Sequence, residues 1–217
     1  MCANALGITD LGHGGKIAAG FIAVISGYAA SYFTALCAAP KKRYSIIKST
    51  VIFIFVFYII VLVDFTLIDD NLGRNIFNIY NWNTTAFSDY INRNTNIVPF
   101  ATVMLFINAV KTSALPLYAV LENLLGNLAA FMPLPFFLAC LFKRFNNWYS
   151  VLITVLLSVI TVELLQLLFL TGSSDIDDVI LNTAGAMLLY GVLRIKGVSR
   201  FISKITFGVW ETENGKD

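Results

Sequence analysis

Between Ser49 and Ile68 a single charged side chain, Asp64, interrupts a run built mostly of Ile, Val and Phe. A hydrocarbon core about 30 Å thick is crossed by roughly 20 apolar residues of helix, because backbone polar groups there must be satisfied within the segment. Similar runs at about Ile17–Ala39, Pro116–Phe142, Trp148–Leu170 and Asp178–Leu193 predict an all-α fold, a polytopic membrane helical bundle of about five transmembrane helices. Composition agrees: 58% of residues are hydrophobic and 13% charged, where a soluble domain carries about a quarter charged. A chain of 217 residues with these spans has no room for a sizeable soluble domain.

The apolar run Ile97–Val110, interrupted by Asn108, is too short to cross and reads as one interfacial or re-entrant segment. The chain then divides into two N-terminal transmembrane helices (1–68), a polar extracytoplasmic loop (69–95), a membrane domain (96–193) and a basic cytoplasmic tail (194–217). In the loop, Tyr80, Trp82, Phe87 and Tyr90 suit head-group level. With five spans, one side receives Lys41, Lys42, Arg43, Lys48, Lys143, Arg144, Arg194, Lys196, Arg200, Lys204 and Lys216. The other receives Lys16, Arg74, Arg93 and Lys111. Cytoplasmic loops are enriched in Lys and Arg, so the N-terminus is expected outside and the C-terminus in the cytoplasm. In the first span Ala19, Ala23, Gly27, Ser31 and Ala35 form a small-residue stripe, a pattern for close helix packing.

Other features are quieter. The opening "MCANALGITDLGHGG" lacks the basic segment of a cleaved signal. The "TALC" at Thr34–Cys37 has Leu36 where a lipoprotein box wants a small residue. Cys2, Cys37 and Cys140 are odd in number and imply no disulfide framework. The lone His13 reads as a terminal residue rather than a ligand, and a net charge of +2 gives no reason to expect nucleic acid as a partner. The "NTT" at Asn83 would matter only in a eukaryotic secretory pathway.

Polar residues in the spans converge. Glu122 and Asn123 lie six or seven residues into the third span, roughly 10 Å at 1.5 Å per residue, and Asn127 lies one turn deeper. Glu163 and Gln166 share a face near the end of the fourth span. Asp175, Asp177 and Asp178 begin the fifth, with Asn182 about one turn in. Three helices thus bring polar groups to one side at similar depth. A lipid-facing carboxylate is costly, so Glu163 and Glu122 are expected to face inward, bonded to Asn123, Asn127, Gln166 or Asn182. Asp175, Asp177 and Asp178 also suit a helix start by capping and dipole alone. Glu163 is not explained that way and points to function. Pro133 and Pro135 are expected to kink the third span and free carbonyls near Ala129 and Phe131. No metal motif, phosphate loop or nucleophile elbow is present: "DIDD" lacks the glycine and distal Glu of a calcium loop. No cofactor is therefore expected, although the clustered carboxylates could hold a divalent cation.

Four pieces in order, "NIVPF", "NLLGNLAAFMPLPF", "ELLQ" and "DIDDVILNTAG", together resemble the signature of the VanZ-like family over about Asn96–Gly191. Two departures stand out. Pro135 replaces a usual glycine, and Gly172, Ser173 and Ser174 stand where many members carry an arginine before the aspartates. The resemblance implies a multi-pass protein of a bacterial plasma membrane linked to resistance against teicoplanin-type glycopeptides. Its partners would be membrane lipids, with a lipoglycopeptide antibiotic or an envelope lipid precursor as ligand. The candidate binding residues are Asn123, Asn127, Glu163, Gln166, Asp175, Asp178 and Asn182, with Glu163, Asp175 and Asp178 as candidates for catalysis. Rival readings are a membrane enzyme acting on an envelope lipid phosphate or head group, and a scaffold that binds a partner through the stripe at Gly27.

Overall fold

The computed structural model describes residues 13–69 and 74–210, with side chains from Gly20 onward. Cys2 and Lys216, and the side chains of His13, Lys16 and Ala19, lie outside the described residues. Helix α1 (His13–Leu36) turns at once into α2 (Pro40–Val63), which a π-helical turn extends to Ile68. The last carbonyls of α1 have no partners within their own helix. Arg43 supplies them from the next helix, donating Nε to the Ala35 carbonyl and Nη2 to the Leu36 carbonyl, both at 2.9 Å. The helical hairpin therefore carries its own clasp.

The small-residue stripe is used only in part. Ala35 is fully buried, but Ala23 and Gly27 are exposed. The close approach to α2 lies at Gly20, where a Cβ would stand 3.1 Å from the Phe57 ring.

Beyond α2 come a 3-10 turn (Ile76–Asn81), α3 (Thr84–Asn94) and α4 (Ala101–Lys111). At 11 residues α4 is about 16 Å long, too short to span. The third span breaks into α5 (Leu117–Ala130) and α6 (Leu134–Leu141) at Phe131–Pro133. The proline ring and missing N–H disrupt the ladder, but the carbonyls of Ala129 and Phe131 are taken locally by Met132 N and Leu134 N. The one that needs outside help is Ala130, which accepts from the Tyr58 hydroxyl at 2.9 Å.

Helices α7 (Trp148–Phe169) and α8 (Ile176–Arg194) complete the bundle. Among the described residues four segments are long and apolar enough to cross a membrane: Pro40–Ile68, Leu117–Leu141, Trp148–Phe169 and Ile176–Arg194. Together with α1 and the shorter helices they form an all-α membrane bundle. Val151, Val155 and Val159 repeat every fourth residue along α7 and are buried against Phe131, Leu134, Ala186 and Tyr190. Glu163 is the next residue on that same buried line. Helices α5 and α8 run in the same direction and touch at Gly185, whose backbone lies so near Leu128 that a Cβ would fall 1.8 Å from its carbonyl oxygen.

Where charge suggested a tail, the chain forms α9 (Lys196–Ile205), with Lys196, Arg200 and Lys204 exposed. A following turn buries Trp210 to 1% exposure, its Nε1 donating to Ser199 Oγ at 2.9 Å. The basic stretch thus has an apolar underside that packs on the bundle beside Phe136 and Phe137.

Candidate functional site

The polar end of the bundle is built around two short extended segments, β1 (Thr95–Asn96) and β2 (Ser174–Asp175), paired in parallel with Thr95 opposite Ser174. This pairing ties the start of α4 to the start of α8. Asp175 caps its own helix by accepting from Asp177 N at 2.9 Å, and also takes Asn96 Nδ2 at 3.1 Å and the Thr102 hydroxyl. Asp177 reaches away from α8 altogether. Its carboxylate, only 2% exposed, accepts the backbone N–H groups of Phe100, Thr102 and Val103. Two aspartates of "DIDD" therefore serve the N-terminus of α4, where free donors and the helix dipole favour an anion.

Asp178 faces the other way, into the bundle, where Asn127 Nδ2 donates to its carboxylate. Asn182 donates Nδ2 to the Asp178 carbonyl at 2.8 Å. Glu163 accepts from the Asp175 backbone N–H at 3.1 Å, rather than from the amides of Asn123, Asn127, Gln166 or Asn182 as expected. Gln166 spends its amide N–H on the Thr66 carbonyl at 2.8 Å.

Arg74, which sequence reasoning did not place here, completes the cluster. Its Nη1 donates to the Phe65 carbonyl at 2.7 Å, and the guanidinium lies over the Phe65 ring at 5.3 Å. Burial pulls its pKa below the usual arginine range, opposed by the charges of Asp178, Glu163 and Asp69. Gly172 has φ +66°, and a Cβ there would stand 3.5 Å from Arg74 Nε and from Gln166 Nε2. This arginine therefore lies beside Gly172, part of the segment Gly172–Ser174 where the resemblance leads to the expectation of an arginine. The loop carrying it is fastened by Asn78 Nδ2 to the Leu170 carbonyl at 2.9 Å and by the Tyr90 hydroxyl to the carbonyls of Thr171 and Gly172, each at 2.7 Å. Burial raises the Tyr90 pKa to about 12, so the hydroxyl remains a donor.

A cavity of about 10 Å³, the space of one water-sized group, lies among Arg74, Asn127, Glu163, Gln166, Asp178 and Asn182. Among the described residues, the buried atoms Arg74 Nε, Gln166 Oε1 and Asn182 Oδ1 have no hydrogen-bond partner. The amide nitrogens of Gln166 and Asn182 are held by carbonyls, which fixes which way both oxygens point. Five of the seven residues singled out for binding thus meet around one small cavity. Asp175 contributes its backbone N–H, its carboxylate being turned toward α4.

Asn123 and Glu122 lie elsewhere. Both are exposed, and they line a neighbouring cavity of about 310 Å³ with Phe65, Arg74, Ala119 and Asn127. The expectation that Glu122 faces inward is corrected: α8 begins level with Asn127, so it does not cover the preceding turns of α5. Among the described residues no three His, Cys, Asp or Glu side chains form a group suited to a metal ion.

This fold and polar cluster define a multi-helix membrane protein with a charged site enclosed between its helices. The model of the VanZ/LLP1 family matches residues 55–197, and the chain belongs to that family. The match covers well over half the chain and reaches back through the loop that carries Arg74. No curated protein and no solved structure matches the chain.

Proposed function

We propose that the protein lowers susceptibility to teicoplanin-type glycopeptide antibiotics, acting in a bacterial plasma membrane through the Glu163 cluster at the outer leaflet. The observation that carries this reading is Glu163 itself. It is a carboxylate 8% exposed on the buried line of α7, with Asp178 and Arg74 lining the same cavity. Its bond to the Asp175 N–H ties α7 to the start of α8, and a carboxylate that also borders a polar cavity inside a span marks a working site. Glu163→Gln is nearly isosteric and should abolish protection of a sensitive host while the protein remains abundant in membranes. Full protection by an equally abundant variant would overturn the reading.

One observation favours a second reading, a membrane enzyme acting on a lipid phosphate. Arg74, whose buried Nε has no hydrogen-bond partner among the described residues, borders the same cavity as the carboxylates of Glu163 and Asp178, which joins an anion-binding group to a candidate general base. Turnover of extracted envelope lipids by purified protein, lost in Glu163→Gln, would support it. Absence of turnover across a broad lipid panel with folded protein would count against it.

A further inference from the structure

The exposed face of α4 and its lead-in is apolar at one end and polar at the other. Ile97, 80% exposed, and Val98, Phe100, Met104 and Leu105 form the apolar end. Asn108 and Lys111 continue that face, followed by Thr112 and Ser113, all exposed. A helix start normally leaves its first N–H groups to water, but here every backbone donor from Val98 to Met104 has a protein acceptor. Val98 N donates to Asn96 Oδ1 at 3.0 Å, Phe100, Thr102 and Val103 donate to the Asp177 carboxylate, and Ala101 and Met104 donate to the carbonyls of Val98 and Phe100. The depth of this end follows from α7. Glu163 accepts from Asp175 N, which sets the start of α8 level with Glu163, about 9 Å short of the end of α7 at 1.5 Å per residue. Asp175 and Asp177 hold the first turn of α4 at that same level, while Leu164 and Leu168 carry the exposed apolar surface of α7 further out. The other end of α4 joins the start of α5 through residues 112–116.

We infer that α4 is a lipid-binding half-helix, inserted into the leaflet that flanks the Glu163 cluster, with Ile97–Phe100 deepest and Lys111 at head-group level. The acyl chains of that leaflet are the partner of its exposed face. This face continues the lipid-facing surfaces of α5 and α7, where Leu121, Leu125, Leu164 and Leu168 are exposed. A second copy of the chain fits less well, because membrane helices approach closely through small residues and none of the exposed apolar side chains of α4 is small. The insertion also explains why Asp177 serves a helix other than its own. Hydrocarbon offers no water to the first N–H groups of a helix. The tip stays at depth only while a protein acceptor holds them; without that carboxylate the donors would have to move out to water. The insertion does not depend on what the Glu163 cluster binds.

Nitroxide labels test the depth. Val98→Cys, Met104→Cys, Asn108→Cys and Lys111→Cys are made singly in the full-length chain carrying Cys2→Ser, Cys37→Ser and Cys140→Ala. Each labelled protein is reconstituted at one copy per lipid nanodisc. Collisions of the label with oxygen, which concentrates in hydrocarbon, are compared with collisions with a water-soluble nickel chelate. Labels at positions 98 and 104 should favour oxygen and remain mobile, and position 104 should lie about 10 Å deeper than position 111 at 1.5 Å per residue. Equal nickel collisions at all four sites would put the helix in water, and equal depths would lay it flat in the interface. Immobilised labels at positions 98 and 104 would mean that protein covers the face, and immobilisation found only at two copies per disc would make a second copy the occupant. Each of these four results overturns the inference. Hydroxyl-radical footprinting reads the unmodified chain in the same discs. Met104, although exposed on the protein surface, should be protected from oxidation by the surrounding lipid, and ready oxidation to the sulfoxide would overturn the inference as well. Neither readout involves Glu163→Gln or antibiotic protection, so failure here and failure of the proposed function are separate results.

Discussion

Removing one oxygen from Asp177 is the sharpest test of how the site is assembled. Its Oδ1 accepts from Phe100 N, and its Oδ2 from Thr102 N and Val103 N. Asparagine keeps one acceptor oxygen and turns an NH2 group against the remaining donors. At least one charge-assisted bond is lost, and those that survive lose the charge. Bonds to ionised groups contribute about 1.5–3 kcal/mol each, and the anion at a helix N-terminus adds up to about 1 kcal/mol. Asp177→Asn should therefore weaken the clamp by about 2–4 kcal/mol, which corresponds to roughly 30- to 1,000-fold in the local opening equilibrium. Helix α4 has no fully buried residue of its own, so little else opposes its release. Hydrogen exchange of peptides covering 98–106 should accelerate by that factor, while peptides from the middle of α7 keep their protection. Unchanged exchange at 98–106 would refute the clamp. Equal acceleration everywhere would show that Asp177 supports the whole fold instead.

Three further substitutions probe the frame around the site. Gly185→Val should separate α5 from α8 and break the Asn127–Asp178 contact, because even a Cβ overlaps the Leu128 carbonyl; overpacking of this kind costs about 1–3 kcal/mol, read as a lower melting temperature in detergent. Tyr58→Phe leaves the Ala130 carbonyl at the helix break without its partner and should lower stability by about 1–3 kcal/mol, measured in the same melt. Trp210→Ala removes a side chain 1% exposed and should cost about 3–5 kcal/mol; limited proteolysis should then cut the turn between Ile205 and residue 210, which stays resistant in wild type.

The hydropathy of the chain states its class directly, and the spacing of polar residues places Asn127, Glu163, Gln166, Asp178 and Asn182 on one side. Helical geometry makes such inferences possible, since depth and face follow from residue count. The roles of Arg74 and Asp177 do not follow from any count. Arg74 sits in a polar loop whose course is set by distant partners such as Leu170 and Thr171. Asp177 occupies the first turn of α8, and local rules assign it to that helix although it serves another. Glu122 shows the opposite limit. Its depth suggested enclosure, but enclosure depends on where the neighbouring helix begins. The segment after Arg194 read as a basic tail because its charges dominate the sequence, while its buried side consists of isolated residues such as Ser199 and Trp210.

The bond between Thr102 and Asp177 joins residues 75 apart in the chain. At about 5–20 residues per second of synthesis, roughly 4–15 s separate the appearance of the two partners. During that interval α4 exists without the carboxylate that holds its first turn. The polar end of the protein therefore closes late, when α8 arrives. A chain truncated before α8 would leave α4 and the β1 edge unpartnered, a form that quality-control proteases can distinguish from the finished protein.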